Sequence, residues 1–315
     1  MYDVDFSTLN TELLSESSRV ELDDYIIEIS WSPDASKLGA VTVEGSVFLI
    51  EDHEDSARCK LVGQHADGAN SLSWCPDGTE FATAGHDGLV KCWEAASGQL
   101  LCSLDAGDSW VSKVVYNPRR NLLATAAGKH LKIWNDKREP FYESSEHSST
   151  ITDMGWNPDG SGVAAAAYNG ITLHVPGKQR RPRKYTWKGS SLALAWSPDA
   201  KYIATGEQDS TVHFWHVKSG ADAQMWGFPT KVKELSWDPS GRWLATGGGK
   251  SIFLWDCSGK GPADRKPRQY EAHSNNLTQL VFQPDGTLLA SADTDGLLLL
   301  WEPMKQDEVI GGLPL

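Results

Sequence analysis

The chain has 315 residues, enough for two average domains or one large one. Its formal charge of -13, from 42 acidic and 29 basic residues, argues against a general affinity for the nucleic-acid backbone. Hydrophobic residues make up 40% and include 14 Trp, ample for a core, yet no apolar run approaches the roughly 20 residues of a membrane-spanning helix.

The first stretch, "MYDVDFSTLNTELLSESS", carries acids but neither a positive n-region nor an apolar core, so it does not read as a secretory signal. A helical turn is expected near Thr8 to Leu14, and "SRVELDD", Ser18 to Asp24, alternates like an outer strand. At Ser30 the chain writes "SWSPD", and the phrase returns as "SWCPD", "VYNPR", "GWNPD", "AWSPD", "SWDPS" and "VFQPD". Its aromatic falls at Trp31, Trp74, Tyr116, Trp156, Trp196, Trp237 and Phe282, in steps of 40 to 45 residues. Such a period marks a repeat architecture. Unbroken along the chain, it favours one closed array, because repeats bury their apolar faces on their neighbours.

The second repeat shows the unit. Asn70 to Trp74 alternates, "CPDG" turns, "EFATA" alternates again, "GHDG" turns, "LVKCW" is a third strand and "QLLCSL" a fourth. Third strands end at Ile50, Trp93, Trp134, Val175, Trp215, Trp255 and Trp301, in phase with the first aromatic row. Outer strands are expected near Cys59, Gln99, Phe141, Arg183, Asp222 and Arg268. After Trp301 the chain reads "EPMKQDEVIGGLPL", a poor outer strand because of Pro303 and its two glycines.

The unit resembles the WD repeat over about residues 19 to 302, because His, Ser or Thr, Asp and Trp fall in register together. The resemblance implies an all-β fold, a seven-bladed β-propeller of four-stranded antiparallel blades. The expected organisation is an N-terminal segment 1–17, a single propeller 18–302 and a tail 303–315. The ring is expected to be closed by Ser18 to Asp24, acting as the outer strand of the last blade. Short loops resemble compact stand-alone members of the family, bacterial ones included. The resemblance also implies hydrogen-bonded structural tetrads at His65, Thr83, Asp87 and Trp93, and at His273, Ser291, Asp295 and Trp301. The fifth repeat keeps Thr205, Asp209 and Trp215 with Trp187 in the His place; the fourth keeps His147 but has Ala165, Asn169 and Val175. His, Ser and Asp also invite a hydrolase reading, but a buried network with a Trp donor serves packing better than catalysis. No nucleophile elbow, phosphate loop or metalloprotease helix is present in the sequence.

Family members commonly bind ligands through the loops entering first strands and the turns between second and third strands. The matching loop positions hold Tyr25, Ile27, Gly68, Asn70, Trp110, Ser112, Thr150, Thr152, Ser190, Leu192, Lys231, Lys233, Asn276 and Thr278, and the turns His86, Tyr168, Gln208 and Thr294. Tyr25, Trp110 and Tyr168 suit binding anchors, with His86, Gln208, Lys231, Lys233 and Asn276 around them. Each aromatic could equally cap its own blade. The basic run "GKQRRPRKY", Gly177 to Tyr185, reads as edge protection at an outer strand, with an anionic partner as the alternative. Five cysteines without short pairings suggest a reduced, cytoplasmic protein with no bound metal. These readings converge on a non-enzymatic, monomeric scaffold without cofactor that binds protein or peptide partners. The alternative is an enzyme or small-molecule binder using the propeller channel.

Overall fold

The computed structural model describes residues 23, 26–34, 36–51, 58–177, 181–259, 266–270, 273–282, 289–294, 297–301 and 309–314. Every regular element among them is a strand. No helix among them is long and apolar enough to cross a membrane.

In the second repeat, Ala69–Trp74, Glu80–Gly85, Leu89–Glu94 and Leu100–Asp105 pair antiparallel in chain order. The "CPDG" turn is closed by the Gly78 N–H on the Cys75 carbonyl (3.0 Å), and Asp77 Oδ1 accepts the Thr79 N–H (2.9 Å). Leu72 then stands opposite Thr83, Thr83 opposite Lys91 and Lys91 opposite Ser103. The second strand is buried along Phe81, Ala82, Thr83 and Ala84, so both of its faces meet protein. On one side Val41, Val47 and Leu49 of the first repeat pack with Leu72, Trp74, Phe81 and Trp93. On the other, Ala82, Val90 and Cys92 pack with Val111, Val114 and Tyr116 of the third. A sheet buried on both faces needs small or apolar residues at consecutive positions, as "FATA" supplies.

The repeated aromatic is tied as well as buried. The indole N–H donates to the carbonyl just before the preceding repeat's own aromatic. Trp74 reaches Ser30 (2.8 Å), Trp156 reaches Val115 (3.1 Å) and Trp237 reaches Ala195 (3.3 Å). Serine in the phrase works in the other direction, with Ser73 Oγ accepting the Tyr116 N–H (3.0 Å) and Ser236 Oγ the Phe282 N–H (2.9 Å). The phrase thus sets the register between first strands of neighbouring sheets, where slippage would expose the core.

The described residues fall into two compact parts, one up to Lys188 and one from Gly189 onward. Strands start near the expected outer positions, at Arg58, Leu100, Pro140, Arg183, Asp222 and Arg268. Two expectations about the blades are corrected. Among the described residues the strands form not seven separate four-stranded blades but five four-stranded sheets and one six-stranded sheet that joins the fourth and fifth repeats. The reason is local. Val163–His174 runs without a break through Asn169 (φ 74) and Gly170 (φ 98), and Arg183–Trp196 is one continuous strand. Two successive positive φ values make a turn too tight to interrupt pairing, and a Cβ at Gly170 would lie 2.1 Å from the Tyr185 carbonyl.

The second correction concerns closure by an N-terminal outer strand. The fourth strand of the last sheet is Val309–Pro314, with Leu297 opposite Pro314, Leu299 opposite Gly312 and Trp301 opposite Val309. Gly311 and Gly312 each cost about 1 kcal/mol in a strand, but pairing the open edge of Leu297–Trp301 outweighs that. Pro314 is tolerated at the end of an outermost strand. Thr8 to Leu14 lies outside the described residues, as does "SRVELDD" except for Asp23, whose carboxylate accepts a hydrogen bond from Ser46 Oγ.

Candidate functional site

The second repeat brings its four polar residues together. His65 Nδ1 meets Asp87 Oδ1 (2.9 Å), His65 Nε2 meets Thr83 Oγ1 (2.8 Å), and the Trp93 indole N–H donates to Thr83 Oγ1 (2.9 Å). One consistent proton arrangement satisfies all four. The Nδ1–H of a neutral imidazole donates to Asp87, and Thr83 donates to Nε2 while accepting from Trp93. Burial lowers the pKa of His65, outweighing the carboxylate beside it. Thr83 is 0% exposed, so no substrate can reach its hydroxyl. A Cβ at Gly85 would lie 2.3 Å from His65 Nδ1, so this histidine requires glycine there. Thr83→Ala would strand both His65 Nε2 and Trp93 Nε1. It is expected to cost about 2 to 3 kcal/mol in urea unfolding, with Thr83→Ser recovering most of it.

In the seventh repeat the carboxylate on His273 Nδ1 is Asp293 (2.9 Å), two residues before the expected Asp295, and Nε2 meets Ser291 Oγ (2.7 Å). Asp293 occupies the strand position of Gly85, opposite Leu277 as Gly85 is opposite Ala69, and carries the acid directly to the ring. Asp295 lies outside the described residues, and Trp301 ends the third strand. In the fifth repeat Glu207 takes the same position and accepts from Ser191 Oγ (2.8 Å). It is 1% exposed, and burial raises its pKa. The sequence signal was an acid in the Gly place of "TGEQDS", in the repeat that lacks the His. The Thr–Trp half of the network recurs at Thr125 and Trp134 (3.1 Å), Thr205 and Trp215 (3.2 Å), and Thr246 and Trp255 (3.2 Å).

The fourth repeat departs furthest. Its second turn is one residue shorter than that of the second repeat, as in the third and sixth, so His174 and not Val175 stands in the Trp place and ends the strand. His147 Nε2 meets His174 Nε2 (3.1 Å), and His174 Nδ1 meets the Tyr142 hydroxyl (2.8 Å). Burial, aided by the Lys184 and His130 charges, lowers the pKa of His147 to about 4. Burial, with His147 and Lys184, lowers that of His174 to about 3.

Of the expected partner contacts, the structure joins two. The Trp110 ring lies 4.0 Å from the His86 ring, nearly parallel at 13°. His86 lies against the Asp67 carbonyl at Nδ1 (2.5 Å) and the Asn70 side-chain amide at Nε2 (2.9 Å), and Asn70 Nδ2 donates to the Val111 carbonyl (3.1 Å). Trp110 nonetheless stays 63% exposed. In the same part Tyr168 is 42% exposed beside Asn169, and its carbonyl accepts from Ser148 Oγ (2.7 Å). The turn residues reach the loops that enter the first strands. The N–H groups of His86, Gln208 and Thr294 donate to the carbonyls of Gly68 (2.9 Å), Ser190 (2.9 Å) and Asn276 (3.0 Å). Lys231 and Lys233 are exposed in the second part, where the Lys233 N–H donates to the Gly247 carbonyl (2.9 Å). Tyr25 lies outside the described residues. Trp226, 73% exposed after Asp222–Met225, was missed because it falls outside the repeated positions. In the basic run, Arg183 opens the long strand with its guanidinium 5.1 Å from the Tyr185 ring.

The family profile described as "WD40: WD domain, G-beta repeat" matches residues 58–94, 98–135, 138–172, 182–216, 226–256 and 265–302. The chain is 25% identical over 299 residues to "Cell division cycle 20.1, cofactor of APC complex" of Arabidopsis thaliana, covering 89% of this chain and 64% of that protein. It is 22% identical over 306 residues to "WD repeat-containing protein slp1" of Schizosaccharomyces pombe, covering 93% and 62%. With "APC/C activator protein CDH1" of Saccharomyces cerevisiae it shares 24% identity over 293 residues, covering 89% and 50%. The chain therefore spans less than two thirds of the length of these relatives.

Proposed function

The chain belongs to the WD40 repeat family, and from that premise we propose that it is a non-enzymatic adaptor holding a protein or peptide partner. The contacts would come from the loops that enter first strands and the turns between second and third strands. Trp110 carries this reading. It is an exposed indole backed on one face by His86, whose ring in turn lies against Asp67 and Asn70. A rigid aromatic presented to solvent loses little conformational freedom on binding, which is why such residues dominate interface energetics. Tyr168 would add to the contacts in the same part, and Gln208, Lys231, Lys233 and Asn276 offer loop and turn contacts of the same kind in the second part. The names of the relatives, a cofactor of the APC complex and an APC/C activator protein, support a protein assembly as the class of partner. The burial of Thr83 within its own network supports the absence of hydrolytic chemistry.

The test is capture of partners on the immobilised chain, followed by affinity measurement. Trp110→Ala is expected to weaken the captured partner by about 2 kcal/mol, roughly thirtyfold, with the melting temperature unchanged. An unchanged affinity would move the binding site elsewhere, to the sheet edges or the basic run. Turnover that Thr83→Ala abolishes in a substrate screen would overturn the non-enzymatic part.

A further inference from the structure

We propose that the Trp110–His86 platform, with the groove beside it, takes a cationic side chain from the partner segment, arginine above all. This rests on the adaptor reading and names the chemistry of what is held. The groove has a volume of about 710 Å³ and is lined by Val43, Glu44, Gln64, Asp67, Asp87 and Lys91 among others. Groove and platform meet at Asp67. Asp67 lines the groove and its carbonyl holds His86, while a Cβ at Gly68 would lie 2.8 Å from both the Val43 carbonyl and His86 Nδ1.

The charges of this surface divide into committed and uncommitted groups. Lys91 Nζ is spent on the Gln64 carbonyl (2.5 Å) and on Asp87 (3.4 Å), and Asp87 is further held by His65 and the Ala66 N–H (3.2 Å). Glu44 and Asp67 are exposed and form no ion pair among the described residues. The loop that ends in Trp110 adds exposed Asp105 and Asp108. It is anchored over the second repeat's turn by the Ala106 N–H on the Gly88 carbonyl (3.1 Å). One face of the indole is covered by His86, the ring as a whole stays 63% exposed, and Asp108 precedes it in the same loop.

A guanidinium fits both features, since its flat face stacks on an indole while its edge donates to carboxylates. A lysine would satisfy the charge but stack less well. An anionic segment would meet repulsion, and a purely apolar one would desolvate the acids without compensation.

Fluorescence anisotropy with labelled Gly/Ser peptides carrying a central arginine, leucine or glutamate separates these cases. The wild-type chain should bind the arginine peptide most tightly, and less so as salt rises. Trp110→Ala should weaken it about tenfold and Trp110→Phe by less. Glu44→Gln with Asp67→Asn should weaken it about threefold without changing the fold, because neither carboxylate forms an ion pair among the described residues. Equal binding of the leucine or glutamate peptide, or indifference to the acid substitutions, overturns the cationic ligand while leaving an anchor at Trp110. Arginine binding that survives Trp110→Ala overturns the platform itself. A captured partner lost in Trp110→Ala, with no arginine peptide bound, overturns this inference and leaves the adaptor reading standing.

Discussion

Removing residues 309–315 is expected to lower the melting temperature by about 10 °C or to cause aggregation, whereas removing residues 1–22 should do much less. Val309–Pro314 closes the last sheet through five opposed pairs, from Leu297 with Pro314 to Trp301 with Val309. With a net contribution near 1 kcal/mol for a typical backbone hydrogen bond, losing the strand removes about 3 kcal/mol after allowance for its ordering. It also bares the edge of "LLLLW", a run of high hydrophobicity and no charge that invites edge-to-edge pairing. Because Val309–Pro314 already pairs the edge of Leu297–Trp301, that edge does not depend on the N-terminal 22 residues. Thermal melts and light scattering on the two truncations decide the matter. A larger loss from the N-terminal deletion would place closure there instead.

Acidification is expected to destabilise the protein well before its carboxylates titrate, through His147 and His174. Both folded-state pKa values, about 4 and about 3, lie below the ordinary 6.5. The unfolded chain therefore binds more protons, and stability is complete above pH 6.5. It falls as pH drops from about 6.5 toward 4, with a slope of up to about 1.4 kcal/mol per pH unit for each histidine. Buried His65 acts in the same direction. Glu207, whose pKa is raised, acts in the opposite sense, its penalty growing as pH rises above the ordinary carboxylate range. The geometry explains the limit of the pair. One proton between the two Nε2 atoms at 3.1 Å makes a hydrogen bond, whereas full protonation sets two N–H groups against each other beside Lys184. Urea unfolding at pH 7 and pH 5 should differ by about 2 kcal/mol or more in the wild type. The difference should shrink in His174→Phe, which removes one titrating ring from the pair. An equal pH dependence in the two proteins would show that the pair does not carry the effect.

The period of the phrase determined the repeat, because a Trp that must reach the preceding repeat's carbonyl has to recur at the same place in each. Trp74, Trp156 and Trp237 do so, and the turns fixed by Pro, Asp and Gly followed from local chemistry alone. The Thr83–Trp93 contact was equally legible, since strand alternation puts both on one face. Tertiary structure decided what depended on one residue of turn length or on competition between distant segments. A shorter second turn put His174 in the Trp place, and the unbroken strand Arg183–Trp196 carried the sheet of the fourth repeat into the fifth, so separate blades did not form there. Asp293 reaches His273 because one position on a pleated strand decides whether a carboxylate meets a ring. The outer strand of the last sheet went to Val309–Pro314 although its glycines made the sequence look unsuitable. An open strand edge gains more from backbone pairing, which any sequence can offer, than the side chains of a strand add or withhold. Trp110 was legible as an exposed aromatic at a loop position. That it stands on His86, and so is presented rather than merely exposed, depended on Asp67, Asn70 and Val111 arriving from other strands and turns, a convergence that only the packed chain creates.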